Sequence, residues 1–226
     1  MLNLRLVLLS GGLDSGVALA RVAAEGSVDL GLFFEYGQAA LEAERRAATA
    51  LAAHYGIPLR TLPLPFLAEL RSGLTGSGSP PVLTAKDLDN PELLRETAAA
   101  VWVPNRNGVF LNVAAAILDE AGGGEIVVGF NREEAGTFPD NSVDFLRSAE
   151  AFFRYSCQNP VRVLAPLAAL DKEAIVRAGL GLGFPFSLAW SCYLGGERMC
   201  GECESCRRLR RAYDLAGRPD LWKGLV

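Results

Sequence analysis

Residues 8–18 read Leu-Leu-Ser-Gly-Gly-Leu-Asp-Ser-Gly-Val-Ala, an apolar run that ends in two glycines, two serines and a carboxylate. Gly11 and Gly12 let the chain turn tightly with bare amides exposed. A helix opening near Asp14 or Ser15 adds its positive end, so the loop can cradle a phosphate. It is not a Walker A loop, because no Gly-Lys-Ser/Thr follows, and not a dinucleotide fingerprint, because the third glycine is misplaced. The plainer alternative is a turn in which Asp14 or Ser15 only caps a helix. The second chemical stretch lies near the other end, where Cys192, Cys200, Cys203 and Cys206 form a C-x7-C-x2-C-x2-C array. Four thiolates so spaced can close a tetrahedral shell around Zn²⁺, with Gly195, Gly196 and Gly201 letting the chain curl round the ion. With sulfur in all four positions the site would be structural, one zinc per chain.

The elements that must position these stretches follow from hydrophobic pattern. Short apolar runs at 4–9, 28–34, 57–62, 125–130 and 161–164 read as buried strands. Stretches of helical character at 15–24, 41–54, 109–120, 142–155 and 172–178 lie between them. Strand and helix alternate, which implies an α/β fold: a doubly wound, mostly parallel sheet with helices on both faces and its ligands at the carboxyl ends of the strands. The opening stretch ends the first strand. Residues 73–104, beginning Gly-Leu-Thr-Gly-Ser-Gly-Ser-Pro-Pro, read as a long loop that could cover a site.

At 226 residues the chain is large enough for one substantial core, and with 22 Lys and Arg against 26 Asp and Glu its net charge is −4. No overall positive field draws it to nucleic acid or to an anionic membrane. The 4–9 run is too short for a secretory core, and no later segment has about 20 uninterrupted apolar residues. A cytoplasmic, soluble protein is expected. Clustered rather than scattered cysteines argue for metal over a disulfide framework.

Ser10-Gly11-Gly12-Leu13-Asp14-Ser15 resembles the Ser-Gly-Gly-x-Asp-Ser loop of the PP-loop ATP pyrophosphatases, which share an adenine-nucleotide-binding α/β fold. Loop and cysteine array together resemble the 7-cyano-7-deazaguanine synthase (QueC) family of queuosine precursor biosynthesis. Further matching stretches are Glu-Tyr-Gly-Gln at 35–38, Val-Pro-Asn-Arg-Asn at 103–107, Gly-Phe-Asn-Arg-Glu-Glu at 129–134 leading to Phe-Pro-Asp at 138–140, and Pro-Leu-Ala-Ala-Leu-Asp-Lys at 166–172. The resemblance implies a PP-loop domain over 1–185 with a zinc-binding helical segment, 186–226, packed on it, and a homodimer. It implies that ATP with Mg²⁺ activates 7-carboxy-7-deazaguanine, that ammonia gives the amide, and that a second activation gives the nitrile. The nucleotide would lie on Leu8, Leu9, Ser10, Gly11, Gly12, Leu13, Asp14, Ser15, Gly16, Val17 and Ala18. Asp14 would stand beside Mg²⁺, with Arg106 and Lys172 neutralising charge on the transferred group. Tyr36, Gln38, Asn131, Glu133 and Asp140 would lie on the substrate side.

Departures fall on that side: Ala39-Ala40 stands where the family usually has Arg-His, and Asn141-Ser142 where it has Cys-Arg. A relative that activates another carboxylate or stops at the amide is therefore an alternative, unless Arg132 or Glu134 compensates. A tRNA-thiolating enzyme would need a catalytic cysteine outside the zinc array, where only Cys157 stands; it reads better as a small core residue. A nucleic-acid module is the alternative of another class, since Cys206 to Tyr213 carries four arginines; the overall acidity speaks against it, and a solvated helix face is the simpler reading. His54, the one histidine, reads as a surface or capping residue.

Overall fold

The computed structural model describes residues 4–75, 88 and 90–226. Five parallel strands, β1 (Leu4–Leu8), β2 (Leu30–Glu35), β3 (Leu59–Pro63), β4 (Gly124–Val127) and β5 (Val161–Leu164), form one sheet in the order β3-β2-β1-β4-β5. The helices are α1 (Leu13–Glu25), α2 (Leu41–His54), α3 (Pro91–Val101), α4 (Arg106–Glu120), α5 (Arg132–Ala135), α6 (Val143–Ser156), α7 (Lys172–Gly181) and α8 (Glu204–Leu215). The expected alternation thus produces the expected doubly wound sheet.

The side chains of the strands sort by parity, because successive residues point to opposite faces. Val7, Leu9, Phe33 and Val127 face one core, built with α1, α2, α7 and α8. Leu6, Leu32, Phe34, Ile126 and Val128 face the other, built with α4 and α6. Leu209, Ala212 and Tyr213 of α8 and Ala216 just after it belong to the first core, so the C-terminal segment shares its apolar interior with the sheet. Among the described residues, no helix is long and apolar enough to cross a membrane.

Two expectations change. The 73–104 segment is not a loop throughout: it contains α3, started by Asn90, whose Oδ1 accepts from the amides of Glu92 (3.0 Å) and Leu93 (3.3 Å). The glycine- and proline-rich opening concealed a Glu-Thr-Ala-Ala-Ala run of good helix formers; residues 76–87 and 89 lie outside the described residues. Helix α1 is not capped by Asp14 or Ser15 either. Gly12 occupies the N-cap with no side-chain cap, which leaves the Asp14 carboxylate for other work.

The chain leaves β1 toward β2 and leaves β4 toward β5, so the β1/β4 boundary is the switch point where this architecture opens a crevice. Both strand ends there come close to α1. A Cβ on Gly129, just after β4, would stand 2.6 Å from the Ser15 amide nitrogen and 2.7 Å from the Asp14 carbonyl carbon. Those neighbours are backbone and cannot turn away. Gly129→Ala should therefore destabilise the protein by about 1–3 kcal/mol, whereas Gly181→Ala, whose Cβ meets nothing within 4 Å, should be neutral or slightly stabilising. Urea unfolding of the two variants checks this contrast.

Candidate active site and metal centre

The Ser10–Ser15 loop is shaped by what it touches. Gly11 has φ +82°, and a Cβ there would lie 2.6 Å from the Glu44 carbonyl oxygen and 2.8 Å from the Ala48 amide nitrogen, so only glycine lets the loop press onto α2. The Gly11 carbonyl accepts from the Trp190 amide at 2.9 Å, which pins the loop from the C-terminal side. Inside the loop the Ser10 amide donates to Ser15 Oγ (3.2 Å), the two hydroxyls lie 3.0 Å apart, and the Gly12 amide donates to Ser10 Oγ (3.3 Å).

A cavity of about 300 Å³ opens over this loop. Leu8, Leu9, Ser10, Gly12, Leu13, Asp14 and Ser15 line it, as do Arg106, Lys172, Tyr36, Gln38 and Asp140. The expected nucleotide segment thus divides. Gly11, before the helix, faces α2, whereas in α1 Gly16 abuts the Phe184 ring and Val17 and Ala18 are fully buried in the core; helical periodicity turns these three away from the cavity.

Lys172 opens α7 and joins Asp14 of α1 to Glu134 of α5, pairing its Nζ with Asp14 Oδ2 and, at 2.8 Å, with Glu134 Oε1. Burial works against its charge, but the two carboxylates outweigh it and raise its pKa. Burial pushes Asp14 up to about 6 despite the opposing pull of Lys172. Glu134, although burial opposes its charge, is held below its ordinary value by Lys172. Among the described residues, the second Asp14 oxygen, Oδ1, is buried and has no hydrogen-bond partner. A buried, unpaired carboxylate oxygen beside a phosphate loop fits a hard divalent cation such as Mg²⁺, which takes few protein oxygens and completes its shell from phosphates and water.

Across the cavity, Arg106 starts α4 after Asn105, which sits in the left-handed region at φ 54°. Its Nη1 donates to Tyr36 Oη at 3.2 Å and its guanidinium lies 5.5 Å from the Tyr36 ring centre. Burial pushes the Tyr36 hydroxyl up to about 12, with Arg106 opposing, and burial likewise raises Asp140.

Several expected substrate-side residues have other duties. Gln38 lines the cavity, yet its Oε1 accepts from the Tyr36 amide at 2.8 Å and its Nε2 donates to the Phe34 carbonyl (3.0 Å) and to Glu44 Oε2 (3.1 Å). It brackets Glu44. Asn131 is wholly buried and caps α5, its Oδ1 accepting from the Glu134 amide at 3.0 Å. Glu133 turns to a smaller cavity of about 50 Å³, where Arg208 bonds it at 2.5 Å and its Oε2 accepts from the Lys172 amide at 3.2 Å. In a four-residue helix, neighbours diverge by about 100°, so Glu134, named above only as a compensating group, takes the cavity position and Glu133 does not.

Sequence reasoning also passed over Glu44, Trp102, Phe138, Trp190 and Tyr193, all of which line the main cavity. Glu44 follows Gln38 by six residues, and a carboxylate in the first turn of α2 reads as helix-end decoration until the fold turns it inward. Of the four departures, Ala40 and Asn141 line the cavity. Ala39 is exposed, and Ser142 caps α6, its Oγ accepting from the Phe145 amide at 3.1 Å.

The four array cysteines converge, their sulfurs all within 4.8 Å of one another. Cys200 and Cys206 sulfurs lie 3.9 Å apart, as do those of Cys192 and Cys203. Tetrahedral Zn–S bonds of about 2.3 Å require sulfurs about 3.8 Å apart, so the set fits that ion. Amides of Leu194 and Cys200 donate to the Cys192 sulfur (3.3 and 3.4 Å), and that of Cys203 to the Cys200 sulfur (3.2 Å), an arrangement that favours thiolates. Cys157 stands apart, half-buried against the second core. His54 is exposed at the end of α2, edge-on to Tyr55. Of the four arginines after Cys206, Arg208 is not solvated as expected: it pairs with Glu204 and Glu133, and Arg207 donates to the Glu202 carbonyl at 2.9 Å.

A parallel sheet with its switch-point loop pressed onto α2, a buried lysine–carboxylate cluster beside that loop and a four-cysteine cluster define a protein of the PP-loop type of α/β fold. In fold it is similar to a 4-thiouridine synthetase solved with RNA and ATP (TM-score 0.51, 18% identity, covering 97% of this chain and 51% of that one) and to a predicted tRNA methyltransferase subunit from Methanocaldococcus jannaschii (TM-score 0.51, 14% identity, covering 98% and 92%). The family model described as "Queuosine biosynthesis protein QueC" matches residues 5–217, and the chain belongs to that family. It is 50% identical to the 7-cyano-7-deazaguanine synthase of Pelotomaculum thermopropionicum over 214 residues, 94% of this chain and 97% of that one. To the protein of the same name from Methanosarcina mazei it is 44% identical over 220 residues, 95% of each. A family whose relatives are named synthases is a family of enzymes.

Glu44 supplies a pH test of this geometry. Burial raises its pKa from 4.5 to about 6, opposed by the Gln38 hydrogen bond and by Arg106. The fold therefore favours the protonated form, and stability declines as pH rises from about 4.5 to about 6, by about 2 kcal/mol in total. Glu44→Gln should match the wild type near pH 4 and be more stable by about that amount at pH 7. Denaturant titrations of the ligand-free proteins at the two pH values check the difference.

Proposed function

We propose that this protein is a 7-cyano-7-deazaguanine synthase that uses ATP to convert 7-carboxy-7-deazaguanine and ammonia to the nitrile, an ATP-dependent C–N ligase. The observation that carries the reading is the convergence, in a QueC-family chain, of Ser10, Asp14, Lys172 and Arg106 on one cavity. ATP activates the substrate carboxylate, ammonia displaces the activated oxygen to give the amide, and a second activation removes the amide oxygen as its nitrogen loses two protons. Each activation builds negative charge that fixed cations stabilise in a partly dry site.

In this reading the Ser10–Ser15 amides and hydroxyls hold phosphates at the start of α1. Lys172, kept protonated by Asp14 and Glu134, faces the transferred group, and Arg106 approaches from the opposite wall. Asp14 Oδ1 would hold Mg²⁺, which when bound offsets phosphate charge and orients the nucleotide. Incubation with ATP, Mg²⁺, ammonium and 7-carboxy-7-deazaguanine should give the mass of the amide and then of the nitrile. Asp14→Asn should keep the melting temperature within a few degrees of the wild type and lower turnover by roughly a hundredfold or more. A folded variant with undiminished turnover would leave Asp14 without a role in the reaction.

The four thiolates are read as the shell of one structural Zn²⁺, which when bound ties the start of α8 to the Cys192–Cys200 segment. Elemental analysis of the wild type should give about one zinc per chain, and Cys203→Ser should lose metal and melt earlier. A metal-free wild type of equal stability would refute this assignment.

A further inference from the structure

Two pairs of nearly parallel aromatic rings line the main cavity, and they differ in kind. Phe34 and Phe110 stack at 4.2 Å between ring centres and 12° between planes, with Tyr36 tilted against Phe110 at 5.6 Å and carrying Arg106. Those rings cover one another and form a closed wall. Trp102 and Phe138 are also parallel, within 8°, but their centres stand 6.1 Å apart. Both are half-buried, both line the cavity, and they come from unrelated segments: Trp102 from the link between α3 and α4, Phe138 from the turn after α5.

Neither ring belongs to the two apolar cores. A half-exposed tryptophan held parallel to a half-exposed phenylalanine at a cavity wall presents a flat π surface, which suits a planar heterocycle better than an aliphatic ligand. Polar groups of complementary chemistry flank it. Arg106, four residues beyond Trp102, offers a planar guanidinium to a carboxylate or phosphate, and Asp140, two residues beyond Phe138, offers a carboxylate to ring N–H groups. The two are close enough for Asp140 to favour the charged form of Arg106. The Ser10–Ser15 loop, with Lys172 and Glu134, supplies the phosphate end of the same cavity.

We propose that Trp102 and Phe138 are the stacking platform for the fused ring of the acceptor, a deazaguanine carboxylate, and so determine specificity for it over the nucleotide. The inference rests on the reading of the acceptor given above. It assigns the turn after α3 a direct part in substrate binding, because Trp102 sits in it. It also accounts for a site in which Ala40 stands where the family has a larger polar side chain: stacking asks for a flat face and not for a particular hydrogen-bond partner.

The test is calorimetric titration of 7-carboxy-7-deazaguanine and, separately, of ATP into the zinc-loaded protein. Trp102→Leu keeps apolar bulk and loses the π face. It should weaken the acid by roughly ten- to a hundredfold, leave ATP affinity within about twofold, and leave zinc content and melting temperature as in the wild type. Phe138→Leu should act in the same direction, and Trp102→Phe should recover most of the loss. If the wild type binds the acid and the leucine variants bind it equally well, or if they lose ATP instead, the platform assignment is overturned and the acceptor reading stands. If the wild type neither binds nor consumes the acid, the acceptor reading falls and takes this inference with it.

Discussion

A single ammonium, that of Lys172, holds together parts of the chain that sequence keeps far apart. It pairs with Asp14 on α1 and Glu134 on α5 from the first residue of α7, with its side chain 16% exposed. Removing a charge from water costs several kcal/mol, which pairing with carboxylates offsets. Among the described residues the balance is incomplete: two carboxylates face one cation, and one Asp14 oxygen has no partner. Surplus negative charge beside this loop is unfavourable by itself, and a divalent cation bound there would offset it.

The same lysine connects the site to the cysteine knot. Its backbone amide donates to Glu133, Glu133 accepts from Arg208, Arg208 pairs with Glu204, and Glu204 Oε2 accepts from Tyr193 Oη at 2.6 Å. Glu204 and Arg208 stand on the first turns of α8, between and just beyond Cys203 and Cys206. What fixes the start of α8 therefore also fixes the end of α5 and the start of α7. The knot lies outside the cavity lining but bears on it through three successive ion pairs and hydrogen bonds, and the Trp190 amide adds a direct hold on the phosphate loop at Gly11. A four-sulfur site can serve a reaction in this way without touching a reactant.

Glycine positions complete the constraint. The loop approaches α2 at Gly11, and β4 approaches α1 at Gly129, at distances that leave no room for a Cβ. These two contacts seat the positive end of α1 at the boundary between β1 and β4, where the strand order reverses.

The chain by itself determined the strand and helix alternation, the glycine loop and the cysteine knot, because each is written in local sequence: short continuous apolar runs, adjacent glycines before a helix, thiols at short spacings. Arg106 and Lys172 were marked only through the resemblance to a family's motifs, and the fold brings both to the cavity beside Asp14. Only the tertiary structure decided which way side chains near those motifs turn. Val17 and Ala18 follow the loop by two and three residues and go to the core; Glu133 and Glu134 are adjacent, yet only Glu134 reaches the main cavity; Gln38 spends its polar atoms on Glu44 and the backbone; Arg208 leaves the solvent to hold Glu133. Trp102 reaches the cavity only because α3 forms in a stretch whose composition reads as loop. Such choices depend on helix phase and on partners distant in sequence, and neither is carried by a residue's own neighbours.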